Sequence, residues 1–484
     1  MKHTVLRGYQ PQAVLSYFED LCAIPHGSYN EAGAAAYLCA FAEAHGLAYR
    51  CDAMHNVLIC KPASPGYENA PVVMLQGHTD MVCVKRADSA HDFTADGLRL
   101  IVEDGWIRAD GTTLGGDDGI AVAMMLAILD DDTLAHPALE CLFTVQEEVG
   151  LGGAAGFDYT GIRAKLLFNL DSEEDGVCTV SCAGGVRCDM ERPVTWEECR
   201  MASAQIAVRG LKGGHSGAEI HMPRGNAHRI VGAILAALAQ RYPYRIVSLT
   251  GGNMDNAIPR DCTAVIAFAQ EDGAELLAML GALCAEQQAM LSRDDRTEGR
   301  VVCTSGDTVC RCMSEADTAA LLGLLCLTPN GIVTMCEDMP GLVESSCNMG
   351  VLCTDEDSVT LGFLARASVE ARKEEIRTRL LLCARTFGAE MHCSGEYPGW
   401  AYDRDSAAMA RYVRVYQRLW GKAPRVEAIH AGLECGLMKH AVLGLDPISI
   451  GPNMRDIHTP EERIEIDSIR RVYETVCAML AEKD

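Results

Sequence analysis

The sequence predicts an α/β protein, a parallel-rich sheet flanked by helices, split by an inserted α+β domain. Three observations predict it. Short continuous apolar runs, Val72-Val73-Met74-Leu75, Leu139–Val145 and Leu166–Leu170, alternate with helical stretches such as Ile120–Leu129. Uninterrupted apolar strands between helices mark a sheet buried on both faces. After about residue 187 the texture becomes mixed, and near residue 396 the α/β pattern returns. The expected boundaries are therefore 1–187 and 396–484 for the two parts of one α/β domain, with 188–395 as the insertion. The length of 484 residues agrees, since domains average roughly 150 residues but a large α/β domain absorbs about 250.

The first element is a helix over residues 12–24, with Val14, Leu15, Phe18, Leu21 and Cys22 on one stripe. Pro25 ends it, and a loop from His26 to Asn30 leads to a second helix near Glu31. The three apolar runs then supply the strands of the sheet. Within the insertion, Gln205–Val208 and Ala264–Phe268 read as strands, and Asn226–Leu238, 274–291 and 371–387 as helices. The returning segment offers a helix at 406–420, the apolar run Pro447–Ile450 and a last helix from about residue 467.

Hydrophobic residues make up 49% and charged residues 23%, which excludes a disordered or collagen-like chain. Lys and Arg number 42 against 67 Asp and Glu, a net charge of −25. Such a surface repels phosphate backbones and anionic headgroups, so neither a nucleic acid nor a membrane surface is an expected partner. The N-terminal residues Met1-Lys2-His3-Thr4-Val5 lead into polar sequence, not the apolar core of a signal peptide. No run reaches the roughly 18 apolar residues of a membrane span. The 23 cysteines follow no framework spacing, and a cytoplasmic protein with reduced thiols is expected. Cys310 and Cys312 stand too close for the usual zinc spacing.

Five polar clusters stand at the ends of expected strands or in the loops that follow, the edge where open α/β sheets bind ligands. In Gln76-Gly77-His78-Thr79-Asp80, His78 and Asp80 share a side in extended chain, and a carboxylate beside an imidazole fixes its tautomer. A structural histidine with a surface aspartate is the plainer alternative. Gly115-Gly116-Asp117-Asp118-Gly119 opens a helix. A carboxylate there bridges cations or simply caps the helix, and without a Walker lysine a nucleotide site is disfavoured. In Gln146-Glu147-Glu148-Val149-Gly150 adjacent side chains diverge. One glutamate can therefore ligate a metal while the other acts as a base, although such a pair is often only a solvated loop. Asn169-Leu170-Asp171-Ser172-Glu173 and Ile457-His458-Thr459-Pro460-Glu461 complete the set. Together they bring two histidines and several carboxylates to one sheet edge, a donor set suited to Zn²⁺.

Read in order, these clusters resemble the five metal motifs of the two-zinc dipeptidases and deacylases related to carboxypeptidase G and peptidase T. Within that superfamily the chain most resembles the aminoacyl-histidine (Xaa-His, carnosinase-like) dipeptidases. Supporting segments are Ile24–Ser28, Gly210–Gly217, Asn256–Arg260 and His430–Gly436, so the likeness spans nearly the whole chain. It implies a zinc-exopeptidase-like catalytic domain in the outer segments and a lid or dimerisation-type domain in the insertion.

The resemblance also implies roles. His78 and Asp171 would hold one zinc, Glu148 and His458 the other, with Asp117 bridging. Asp80 would orient His78, and Glu147 would be the general base for the water between the metals. From the insertion, His215 would help bind the oxyanion, and Asn256 and Arg366 would contact substrate, Arg366 at its terminal carboxylate. Gly432, in the returning segment, would allow close backbone approach. Relatives commonly read Ala-Asp-Asn-Gly where this chain has Gly116 and Asp118 around Asp117, which leaves open which aspartate bridges.

The expected activity is thus hydrolysis of unblocked dipeptides, Xaa-His and β-Ala-His first, with two Zn²⁺ per chain, or Mn²⁺ or Co²⁺ in their place. The alternatives are a broader dipeptidase, an amidohydrolase of N-acyl amino acids, or a binding protein on the same fold without catalysis. The expected partner is a small dipeptide. The insertion is long enough for two α+β layers, so the expectation is either a monomer that completes its own site or, as in relatives with shorter lids, a homodimer built through the insertion.

Overall fold

A computed structural model describes residues 4–483; Met1, Lys2, His3 and Asp484, which belong to the terminal segments read above, lie outside them. The chain forms two compact units. The first comprises 1–182, 400–428 and 433–484, and the second 183–399 with 429–432.

The first unit is built on an eight-stranded sheet. Its four central strands, in spatial order Leu139–Thr144, Val73–His78, Leu166–Asn169 and Asp446–Ser449, run parallel. Antiparallel neighbours flank them, Val57–Lys61 on one side and Val177–Cys182 on the other. Every residue of Val73–His78 and Leu139–Thr144 is buried, as expected for strands covered on both faces. The helix Gly116–Asp130 is buried along nearly its whole length, which explains why its apolar residues show no one-sided stripe. The stripe expected on the first helix, Gln12–Cys22, is its buried face.

A separate four-stranded sheet joins the hairpin Leu100–Glu103 and Trp106–Ala109 to the late strands Met454–Arg455 and Arg463–Glu465. The sequence reading missed it because its strands are short and largely half-exposed.

The second unit carries a nine-stranded sheet, whose pairings are all antiparallel. Leu235, Ile266, Phe268, Leu280 and Phe363 lie in its core. The helix Ala227–Leu238 starts where Asn226 accepts the N–H groups of His228 and Arg229, a cap worth about 1 kcal/mol. Gly432, expected with the returning segment, packs instead with the second unit: Ala183 N–H donates to Ala431 O at 2.9 Å, and the ring of Tyr397 lies against Gly432.

Candidate metal centre

The C-terminal ends of the four parallel strands carry the site residues of the first unit. His78 ends one strand, the Gln146–Glu148 loop follows Leu139–Thr144, Asp171 follows Leu166–Asn169, and His458 lies beyond Asp446–Ser449, between the short strands Met454–Arg455 and Arg463–Glu465. Parallel register thus gathers residues from 380 positions of chain at one edge. Gln146 and His458 both have left-handed backbones, φ 54° and 62°. Each costs on the order of 1–3 kcal/mol, strain that clusters at working sites.

Asp117 stands between the two histidines. Its Oδ1 is 3.0 Å from His78 Nε2, and its Oδ2 is 3.5 Å from His458 Nε2. His78 Nε2 also lies 3.5 Å from Asp171 Oδ1, while His458 Nε2 lies 2.9 Å from Glu148 Oε1. Asp118 turns the other way. It is fully buried, its Oδ2 accepts the backbone N–H of His78 at 3.3 Å, and its Oδ1 has no hydrogen-bond partner among the described residues. A Cβ on Gly77 would meet Asp118 Oδ2 at 2.5 Å, so this approach requires the glycine.

Asp80 reaches His78 chiefly through its backbone: the carbonyl is 2.9 Å from Nδ1, the carboxylate 3.5 Å. The carboxylate instead accepts from the Ser28 hydroxyl at 2.8 Å and from the N–H groups of Glu147 and Glu148 at 3.0 and 3.3 Å. Glu462 makes a comparable tie, accepting the N–H groups of Leu114 and Gly116 at 2.9 and 2.8 Å. It links the His458 loop to the Asp117 turn. The sequence reading assigned Ser28 no role, although it ends the segment Ile24–Ser28, and passed over Glu462, which adjoins Ile457–Glu461.

The electrostatics are those of crowded negative charge. Burial, with Glu434, Glu148 and Asp117 nearby, pushes Glu147 up to about 8 against the pull of His78. Burial, aided by Asp117 and Glu147, holds Asp171 well above the carboxylate range. Hydrogen bonds to Asp117 and Glu148 push His458 up to about 10. Burial opposes a charge on His78, yet Asp171, Asp117 and Asp80 keep it well above its ordinary value. Asp117 is buried too, but hydrogen bonds from His458 and His78 hold it below its ordinary value. Protons on these groups occupy the place where divalent cations would balance the charge.

Among the described residues, three groups have ligand atoms within 4.8 Å of one another: His78 with Asp118 and Asp171, His78 with Glu147 and Glu148, and Asp117 with Glu148 and His458. None uses a cysteine, and all 23 cysteines are free. Imidazoles and carboxylates in this proportion fit two divalent ions.

Residues 74–482 match the model of peptidase family M20/M25/M40. The chain belongs to that family. With it comes membership of the hydrolases of peptide bonds. The chain is 36% identical over 482 residues, 98% of each protein, to the cytosol non-specific dipeptidase of Escherichia coli (strain K12). Among solved structures it is similar to the aminoacylhistidine dipeptidase from Vibrio alginolyticus, with TM-score 0.93 and 35% identity over 100% of this chain and 99% of that one. The aminopeptidase PepT from Bacillus cereus shares the fold at TM-score 0.57 and 16% identity, covering 98% of each chain. No helix among the described residues of this M20 chain is long and apolar enough to cross a membrane.

The remaining expected residues stand in the second unit. His215 pairs with Ala257 in a two-stranded ladder, and Ser216 N–H donates to Asn256 O at 2.8 Å, so His215 and Asn256 are neighbours. His215 Nδ1 accepts the N–H of Ala218 at 2.9 Å. Burial and the Arg366 charge lower its pKa, so the ring is neutral near pH 7 and its Nε2 carries the proton. Arg366 is 5% exposed, and its hydrogen-bond partners among the described residues, Tyr397 and His215, are not carboxylates. One guanidinium nitrogen donates to Tyr397 OH at 2.8 Å, another is 3.5 Å from His215 Nε2, and Nε has no partner among the described residues. Tyr397, which touches both Arg366 and Gly432, bore no motif that could have drawn attention to it.

Proposed function

We propose that the chain is a two-metal dipeptidase acting on unblocked dipeptides, with Xaa-His pairs, β-Ala-His among them, as lead substrates. The observation that carries the reading is the placing of Asp117, with one carboxylate oxygen toward each histidine. In this reading His78 and Asp171 hold one ion, Glu148 and His458 the other, and Asp117 both. Zn²⁺ is the expected metal, and Mn²⁺ or Co²⁺ suits the same donors. When bound, the ions polarise the scissile carbonyl and lower the pKa of water toward neutrality.

The chain's own residues supply the rest. Glu147 takes a proton from the attacking water and delivers it to the leaving amine; its raised pKa suits both steps near neutral pH. Asp80 holds the Glu147 backbone in place. His215, with its proton on Nε2, donates to the developing oxyanion. The buried guanidinium of Arg366, which meets no carboxylate among the described residues, pairs with the substrate's terminal carboxylate. Asn256 and Gly432 contact the substrate, the glycine by close backbone approach. The outer segments form the catalytic domain, and the insertion serves as its lid or as the surface of a homodimer. The cytoplasm is the proposed compartment, supported by the name of the Escherichia coli relative.

A second reading, broader dipeptidase specificity, is favoured by that same name. Assaying dipeptides and N-acyl amino acids with Zn²⁺, Mn²⁺ and Co²⁺ added separately distinguishes the two. Xaa-His substrates should give the highest kcat/KM. Equal rates across the dipeptides support the second reading, and hydrolysis of N-acyl amino acids alone overturns both.

A further inference from the structure

Three residues of the quoted motifs, Gln76, Asn169 and Glu434, have no role in the reaction described. Their side chains are fully buried, and they form one chain of hydrogen bonds beneath the strand ends. Asn169 Nδ2 donates to Gln76 Oε1 at 2.6 Å. Gln76 Nε2 donates to Thr144 Oγ1 at 3.1 Å and to Glu434 Oε2. The Thr144 hydroxyl donates to the same Glu434 oxygen at 2.7 Å. Gln76 lies two residues before His78, Asn169 two before Asp171 and Thr144 three before Glu147. The chain therefore crosses the three strands from which the expected ligands project.

A carboxylate that ends such a chain gives it a direction. Amides can turn over, exchanging donor for acceptor, and hydroxyls can rotate. With Glu434 accepting from both Gln76 and Thr144, the Gln76 amide presents its oxygen to Asn169. Asn169 must then present its own amide nitrogen to Gln76, and its Oδ1 is left to accept the backbone N–H of Asp171, 3.4 Å away. Without the carboxylate, Gln76 is free to turn over, Asn169 turns with it, and the Asp171 N–H faces a donor. Glu434 Oε1 has no partner among the described residues, although the residue is 0% exposed. A buried carboxylate that is costly to keep calls for an explanation beyond packing.

We propose that Glu434 is a positioning residue which, through Gln76 and Asn169, sets the backbone of Asp171 and so tunes the ion site of His78 and Asp171. The inference rests on the two-metal reading above. Groups that orient ligands from behind typically change metal affinity by about 10–100-fold when removed.

The test is metal titration of the full chain against a competing chelator, together with thermal unfolding of the metal-free protein. Glu434→Leu keeps the volume and removes the acceptor. It should weaken one of two Zn²⁺ equivalents by about 10–100-fold while the other keeps its affinity and metal-free unfolding shifts little. Glu434→Gln, whose amide oxygen still accepts both bonds, should recover most of the loss. Thr144→Val removes a single donor and should weaken the same equivalent less, which keeps the test valid if the leucine variant does not fold. A folded Glu434→Leu, or failing that Thr144→Val, with both affinities at wild-type values overturns the proposal. Wild-type protein that binds no Zn²⁺, unchanged by His78→Ala, overturns the two-metal reading and this inference with it.

Discussion

The carboxylate of Asp80 accepts the backbone N–H of Glu147 at 3.0 Å. A side chain two residues beyond one expected metal ligand thereby fixes the loop that carries the expected base, 67 residues further along. Asp80→Ala should lower kcat by about 10–100-fold, the range for groups that orient a metal site. Circular dichroism should show the fold intact. Wild-type kcat in that variant would show that the loop keeps its place unaided.

Glu147→Gln keeps the shape of the side chain and removes the base. Turnover should fall by about 10²–10⁴-fold, with both metal equivalents still present by elemental analysis. Activity within a few-fold of wild type would remove Glu147 from the mechanism.

The two aspartates of the turn should behave differently. Asp117 faces both histidines, whereas Asp118 is buried beneath His78. Asp117→Asn should impair both metal equivalents, and His458→Ala only one. Asp118→Asn should leave two bound metals, because the amide oxygen can still accept the His78 N–H. Loss of both metals from the Asp118 variant alone would transfer the bridge to Asp118.

His215→Ala should cut kcat by about 10²–10³-fold, the usual loss for one oxyanion donor, without changing metal content. Intact kcat with lost metal would make His215 a ligand or a residue of the fold.

Metal removal should make stability sensitive to pH. In the metal-free protein Glu147 is raised to about 8 and His458 to about 10. Both groups bind more protons folded than unfolded between pH 6.5 and 8, so stability falls as pH rises through that window. The Tm of chelator-treated protein should drop between pH 6.5 and 8, and saturating Zn²⁺ should flatten the dependence. A metal-free Tm that rises over the same interval contradicts these protonation states.

Much of this was legible in the sequence because the parallel strands are continuous apolar runs ending in chemistry. Val72–Leu75 leads to His78 and Leu166–Leu170 to Asp171, and short apolar runs bounded by polar clusters are local signals that need no tertiary context. What stayed hidden depends on distance in space. Glu462 is one more acidic residue in a polar loop until its carboxylate is seen on the Leu114 and Gly116 amides. Tyr397 ends an exposed edge strand, and nothing local marks it as the partner of Arg366. Gly432 reads with the segment around it, yet the backbone bond between Ala183 and Ala431 draws its neighbour to the second unit.

The strand Asp446–Ser449 lies in the sheet between Leu166–Asn169 and Val177–Cys182, which precede it by more than 260 residues. During synthesis the ribosome delivers those two strands early, with the slot between them vacant and their edge amides unpaired. Most of the chain must emerge before the slot closes, and His458 follows the closing strand by only nine residues. A growing polypeptide therefore carries two unfinished sheet edges, a recognised hazard for misassociation, while more than 260 further residues are made. A message cut short before that strand yields a product that can neither close its sheet nor supply the second histidine.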